Sequence, residues 1–287
     1  MIFSILNHRL ANLDLLRGLA ALLVCAGHLR AFLMLDFGQV KSPTILDRIF
    51  YVTTGLGHQA VMVFFVLSGF LVGGSVLTAY QSGRWSWMNY TLRRMSRLWM
   101  VLLPALVLTL ILDNLGRHWF PLGYAGKFQV LYNSGPTLAA PADLRPTTFL
   151  GNAFFLQTIE VPRLGTNGPL WSLANEFWYY ALFPLVCGIW FMRSLIARFV
   201  FALSVAGLIW WLPAGITWSG IIWLLGRGIL GGPQRAGSQD LQSSGVAHFR
   251  WRSILWFLGS QQNQFDFRHG LEHRRGLCLV GCWFSLL

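Results

Sequence analysis

Charge is scarce in this chain. Asp and Glu number only 10 in 287 residues, and all charged residues together make up 11%, where soluble domains carry about 25%. With 55% hydrophobic residues and a mean hydropathy of +0.53, a soluble globule of this length has no way to hide its apolar surface. The long apolar runs do not alternate with polar residues, which argues against a β-barrel. The four cysteines, Cys25, Cys187, Cys278 and Cys282, show neither a paired framework nor metal-ligand spacing, so no bound metal is expected. A Gly-x-Ser-x-Gly nucleophile motif and a Gly-rich phosphate loop are both missing.

What the chain has is apolar runs of membrane length. At about 20 residues per span, they predict an all-α, polytopic transmembrane helical bundle. Six spans are readable: Leu13 to Leu35, Leu56 to Tyr80, Leu92 to Leu112, Leu170 to Met192, Leu195 to Leu212 and Ile216 to Leu230. Gly168-Pro169 precedes the fourth, where a helix start favours proline. The segment Thr148 to Ile159 is apolar but too short to span, and reads as re-entrant or interfacial. Arg17 and His28 interrupt the N-terminal run and no small-residue cleavage site follows, so it reads as a retained helix and not as a signal peptide.

Composition changes near Pro233. Residues 233–287 hold six Gln against five in residues 1–232, and their apolar residues have no period. Residues 1–232 are therefore expected to form the transmembrane domain. The tail reads either as a disordered cytoplasmic segment or as the product of a shifted reading frame, and its loss of periodicity favours the second.

The net charge of +12 invites a nucleic-acid partner, but the basic residues are separated by apolar runs and build no basic face, which argues against one. They read as topology signals. Arg9 and Arg17 precede or open the first span; Arg84, Arg93, Arg94 and Arg97 lie between the second and third; Arg193 and Arg198 lie between the fourth and fifth. The positive-inside rule then puts the N-terminus in the cytoplasm.

Ionisable groups at bilayer depth are costly and usually functional. Arg17 and His28 lie eleven residues apart, on one helical face and about 16 Å apart along the axis. Asp14 can pair with Arg17 at i, i+3. Histidine is the usual general base near neutral pH. Arg94 and Arg97, again three apart, present two guanidinium forks suited to phosphate. Ser68, Gly69, Gly73 and Gly74 permit close helix packing or leave room for a thin ligand. Glu176 is an acid in an aromatic helix, suited to orienting a histidine or holding a substrate hydroxyl.

Four segments taken in order resemble the membrane acyltransferase-3 family. They are Leu15-Leu16-Arg17-Gly18 with His28, then Phe64-Phe65-Val66-Leu67-Ser68-Gly69-Phe70, then Arg94 and Arg97, then Trp171-Ser172-Leu173 through Glu176-Phe177. The resemblance covers about residues 10 to 230. It implies a bundle of normally about ten helices, and an enzyme of a bacterial inner membrane that moves an acyl group, usually acetyl, onto carbohydrate hydroxyls. The donor is acyl-CoA (acetyl-CoA) as co-substrate, with no tightly bound cofactor. The acceptor is a carbohydrate or glycolipid such as lipopolysaccharide O-antigen or exopolysaccharide. His28 and Glu176 would be catalytic. Arg17, Arg94, Arg97, Ser68 and Gly69 would hold the donor, and Asp14, Trp171 and Asn175 would meet the substrate. Without a nucleophile elbow, direct transfer is favoured over a serine acyl-enzyme. A non-catalytic transporter or carrier, an inactive truncated homologue, and a haem protein ligated by His28 and His58 are the competing readings.

Overall fold

Apolar runs become helices in lipid because the backbone has no other partner there. The computed structural model describes residues 2–132 and 134–230. Helix α1 covers Ile2–Leu33, α2 Ile45–Gly55, α3 Gly57–Gln81 and α4 Trp87–Trp119. A linker carries two short helices, α5 (Phe128–Tyr132) and α6 (Pro146–Ala153); then follow α7 (Leu170–Phe191), α8 (Leu195–Trp211) and α9 (Ala214–Leu230). No strand occurs among the described residues, and the fold is an all-α helical bundle. The tail, with Cys278 and Cys282, lies outside the described residues.

Local chemistry sets the helix ends. Thr44 and Asp47 form a reciprocal capping box at the start of α2. Ser86 caps α4 through the Asn89 N–H, and Ser194 caps α8 through the Ala197 N–H. The break between α2 and α3 falls at Leu56, where the sequence expectation began its second span. This junction meets α1 closely: a Cβ on Gly27 would stand 2.8 Å from the Thr54 carbonyl oxygen.

Two expectations change. First, α4 begins at Trp87 and not at Leu92, because Ser86 supplies the cap. Arg94 and Arg97 therefore lie in the second and third turns, and any anion they hold is held by guanidinium groups rather than by the helix-end N–H groups. Second, among the described residues three segments are clearly long and apolar enough to cross a membrane: Asn12–Gln39, Ile45–Gln81 and Trp87–Trp119. Helices α8 and α9 have 17 residues each, short of about 20. Helix α7 has 22, but Ser172, Asn175 and Glu176 interrupt its apolar surface.

The segment 148–159 is half helix. After α6 the chain turns tightly, with positive φ at Phe155 and Thr158. Its Asn152 and Gln157 side chains are fully buried: Asn152 donates to the carbonyls of Thr148 and Pro162, and Gln157 donates to the Leu170 carbonyl at the start of α7. Trp99 of α4 and Trp178 of α7 donate to the Ala153 and Phe155 carbonyls. Asp113 of α4, 3% exposed, accepts hydrogen bonds from Tyr124 Oη and from the N–H and hydroxyl of Thr166, each at 2.7 Å. These bonds fix the loop that feeds α7, and so fix where α7 points its polar residues.

Helices α3 and α9 make the closest contact in the bundle. A Cβ on Gly69 would stand 1.8 Å from the Trp223 carbonyl oxygen, and one on Gly226 would stand 2.0 Å from that of Val66. Both positions need the missing side chain for backbone approach. Gly69→Ala is expected to destabilise the protein by about 1–3 kcal/mol through overpacking. Gly74→Ala, where a Cβ meets open space, should leave thermal unfolding in detergent unchanged. Equal melting temperatures for the two variants would contradict this packing.

At the start of α6, the hydrogen-bonded Arg145 guanidinium holds the Asp143 carboxyl down at about 2. Since an unfolded aspartate titrates near about 3.9, Asp143 adds stability above that pH. The contribution is lost as pH falls toward about 2. Asp143→Asn should flatten the stability profile in this window, measured by unfolding as a function of pH.

Candidate active site

Four helices deliver polar side chains to one place inside the bundle. Ser68 comes from α3, Arg94 from α4, Glu176 and Tyr180 from α7, and Trp223 from α9. The Ser68 hydroxyl donates to Glu176 Oε1 at 2.9 Å, and the Tyr180 hydroxyl donates to the same oxygen. Ser68 and Tyr180 oxygens lie 3.0 Å apart. Trp223 Nε1 donates to Ser68 Oγ at 3.2 Å. Proton accounting fixes the directions: with the carboxylate ionised it only accepts, so each hydroxyl spends its single hydrogen on Oε1 and the indole N–H satisfies the serine.

The guanidinium of Arg94 sits beside this cluster. Its Cζ is 5.4 Å from the centre of the Tyr180 ring and 5.7 Å from that of Tyr90, both within cation–π range. Tyr90 in turn donates its hydroxyl to the Tyr180 carbonyl at 2.9 Å. Arg94 Nε is buried with no hydrogen-bond partner among the described residues.

A cavity of about 600 Å³ opens on this cluster. Arg17, Arg94 and Arg97 line it together with Ser68, Glu176 and Tyr180, and the rest of its wall is mostly apolar, including Val24, Val61, Phe64 and Val101. Three guanidiniums face one carboxylate, so the cavity wall carries two excess positive charges. Asp14 approaches Arg17 at 3.6 Å but is 74% exposed, and water screens much of that pairing.

The sequence-predicted residues divide clearly. Arg17, Ser68, Arg94, Arg97 and Glu176 meet at the cavity. Gly69 does not: it faces α9, and its small size serves helix packing. Asp14 is a surface partner of Arg17. Asn175 is buried beside Tyr179, and Trp171 stacks on His58 with ring centres 5.5 Å apart. His28 is exposed and does not line the cavity. It lies one turn past Val24, the last α1 residue on the cavity wall. Ala31 and Phe32, one turn further, border a small aromatic cleft with Tyr124, Phe128 and Tyr132. His28 thus stands on α1 between two concavities. Sequence reasoning passed over Tyr180 and Trp223. The i, i+4 spacing of Glu176 and Tyr180 was a readable signal for the first. Trp223 gave none, since its bond to Ser68 bridges 155 residues.

The fold and this site define a helical membrane protein with an arginine-lined internal cavity. The acyltransferase-3 profile, described as an acyltransferase domain, matches residues 10–260, and the chain belongs to that family. With its long apolar helices it is an integral membrane protein. It is 30% identical over 128 residues to an uncharacterized protein of Haemophilus influenzae, a match covering 43% of this chain. The chain spans about half the length of that curated relative, 46%. No solved structure matches.

Ser68→Ala would leave both the Trp223 N–H and Glu176 short of a buried partner. The expected cost is about 1–3 kcal/mol, read as a lower thermal unfolding midpoint. An unchanged midpoint would show that the network adds nothing to stability.

Proposed function

We propose that this protein transfers an acyl group, acetyl in the simplest case, from acyl-CoA to a hydroxyl of a carbohydrate or glycolipid such as lipopolysaccharide O-antigen or exopolysaccharide. The observation that carries this reading is the convergence of Arg17, Arg94, Arg97, Ser68 and Glu176, distant in sequence, on one cavity. Arg94 and Arg97 hold the donor's phosphates through charge-assisted hydrogen bonds. The pantetheine arm follows the apolar wall along α1 and α3. That wall ends at Val24, one helical turn from His28, which puts the thioester near the imidazole.

The acceptor approaches from the aromatic cleft, where ring faces adjoin the Ser134 and Thr166 side chains. His28 takes the proton from the acceptor hydroxyl as its oxygen attacks the thioester carbonyl carbon. The carbon–sulfur bond breaks, and the departing thiolate takes up the proton from the imidazolium. An ester and free CoA result. Glu176 stays in the cavity wall, oriented by two hydroxyls, and contacts donor or acceptor through its second oxygen. The basic segments support a donor end of the cavity at the cytoplasmic face of a bacterial inner membrane. His28 and the cleft then lie toward the outer side.

Membranes bearing the protein should transfer radiolabelled acetyl from acetyl-CoA to polysaccharide. His28→Ala should lower transfer by about 10²- to 10⁴-fold at equal protein level. Arg94→Gln should raise the donor KM at least about tenfold. Full transfer by His28→Ala together with loss in Glu176→Gln would move the base to Glu176. Absence of transfer by the wild type, with transport of a labelled solute instead, would favour a carrier.

A further inference from the structure

Tyr180 touches both charged groups at the base of the cavity. Its ring lies under the Arg94 guanidinium, 5.4 Å from Cζ. Its hydroxyl donates to Glu176 Oε1. Ring and hydroxyl belong to one rigid group, so a displacement of the guanidinium that shifts the ring must also shift the donor on the carboxylate. The ring cannot relax alone: Tyr180 is 5% exposed, its carbonyl is held by Tyr90, and Ser68 stands 3.0 Å from its hydroxyl. Tyr90 also lies within cation–π range of the same guanidinium, at 5.7 Å.

We propose that Tyr180 is a positioning residue that couples the anion site at Arg94 to the orientation of Glu176. Occupation of Arg94 by an anion draws the guanidinium toward the ligand and re-seats the Tyr180 ring. The hydroxyl carries that adjustment to the Glu176 carboxylate. The carboxylate is thereby set differently in the loaded and the empty cavity. Ser68, itself held by the Trp223 N–H, donates to the same Oε1, so the adjustment is a rotation about that oxygen and not a release. The coupling is independent of donor identity, because it needs only a displacement of the Arg94 guanidinium.

The test is a double-mutant cycle on the full-length purified protein that needs no substrate. A hydrophobic carbodiimide labels Glu176, and mass spectrometry reads the rate. Tyr180→Phe keeps the ring under Arg94 and removes only the hydroxyl, so the fold is preserved. Removing the hydroxyl is expected to speed labelling. Arg94→Gln should change the labelling rate at least about fivefold in the wild-type background and leave it nearly unchanged when Tyr180 is Phe. An equal effect of Arg94→Gln in both backgrounds would assign the effect to through-space charge and overturn the proposal. So would a wild-type labelling rate in Tyr180→Phe.

A kinetic arm separates this inference from the reading of the site as an acyl-donor cavity. In acetyl transfer, Tyr180→Phe should lower kcat with the donor KM unchanged, while Tyr180→Leu, which also removes the ring, should raise KM as well. A rise in KM alone for Tyr180→Phe would contradict the coupling. If no variant, wild type included, transfers acetyl, the donor reading fails while the labelling cycle still decides the role of Tyr180.

Discussion

The Glu176 carboxylate, held by two hydroxyls inside a membrane bundle, is the interaction on which the rest of the site depends. A carboxylate placed among apolar helices is tolerated only if its lone pairs are met. Ser68 and Tyr180 meet Oε1, and Trp223 satisfies Ser68. Three helices are tied at one point as a result. The same junction holds the closest backbone approach in the fold, Gly69 on Trp223 and Gly226 on Val66. Packing and polarity are therefore one arrangement: α9 comes near enough for its indole to reach Ser68 only because α3 and α9 each offer a glycine.

The cavity beside this knot is an electrostatic device. Three guanidiniums against one carboxylate make it attractive to a multiply charged anion, and its apolar walls suit the uncharged remainder of the same molecule. Arginine is the cation that keeps its charge at such depth. The aromatic seat of Arg94, between Tyr90 and Tyr180, stabilises the guanidinium without neutralising it, so its hydrogen-bond donors stay available to a ligand. A second station, His28, stands one helical turn beyond the cavity wall on α1. The length of one helix thus separates a charged anchor from a titratable group.

Much of this was legible in the sequence, for identifiable reasons. The bounds expected for α7, Leu170 to Met192, differ from the observed Leu170–Phe191 by one residue. There, a proline start and a run ending before Arg193 leave little freedom. α4 was read too short because its ends are polar, and capping by Ser86 outweighs polarity. Each of the six apolar runs expected as a span falls on a helix, and α8 and α9, with 17 residues each, sit at the short end of the spanning range. Charged and hydroxyl residues in apolar surroundings gave five cavity residues. Gly69 lies against α9; a small residue signals close approach without saying whether ligand or helix approaches. Tyr180 and Trp223 were hidden among the 14 Trp and 7 Tyr of an aromatic chain.

The central claim is that this cavity holds an acyl-CoA with its phosphates on Arg94 and Arg97 and its acyl end toward His28. Photo-crosslinking with an acyl-CoA analogue bearing a diazirine on the acyl chain tests it most directly. The account predicts adducts on the cavity side of α1 and α3, between Val24 and His28 and around Val61 and Phe64, all suppressed by excess CoA. Adducts confined to other helices, or labelling that excess CoA does not reduce, would contradict it.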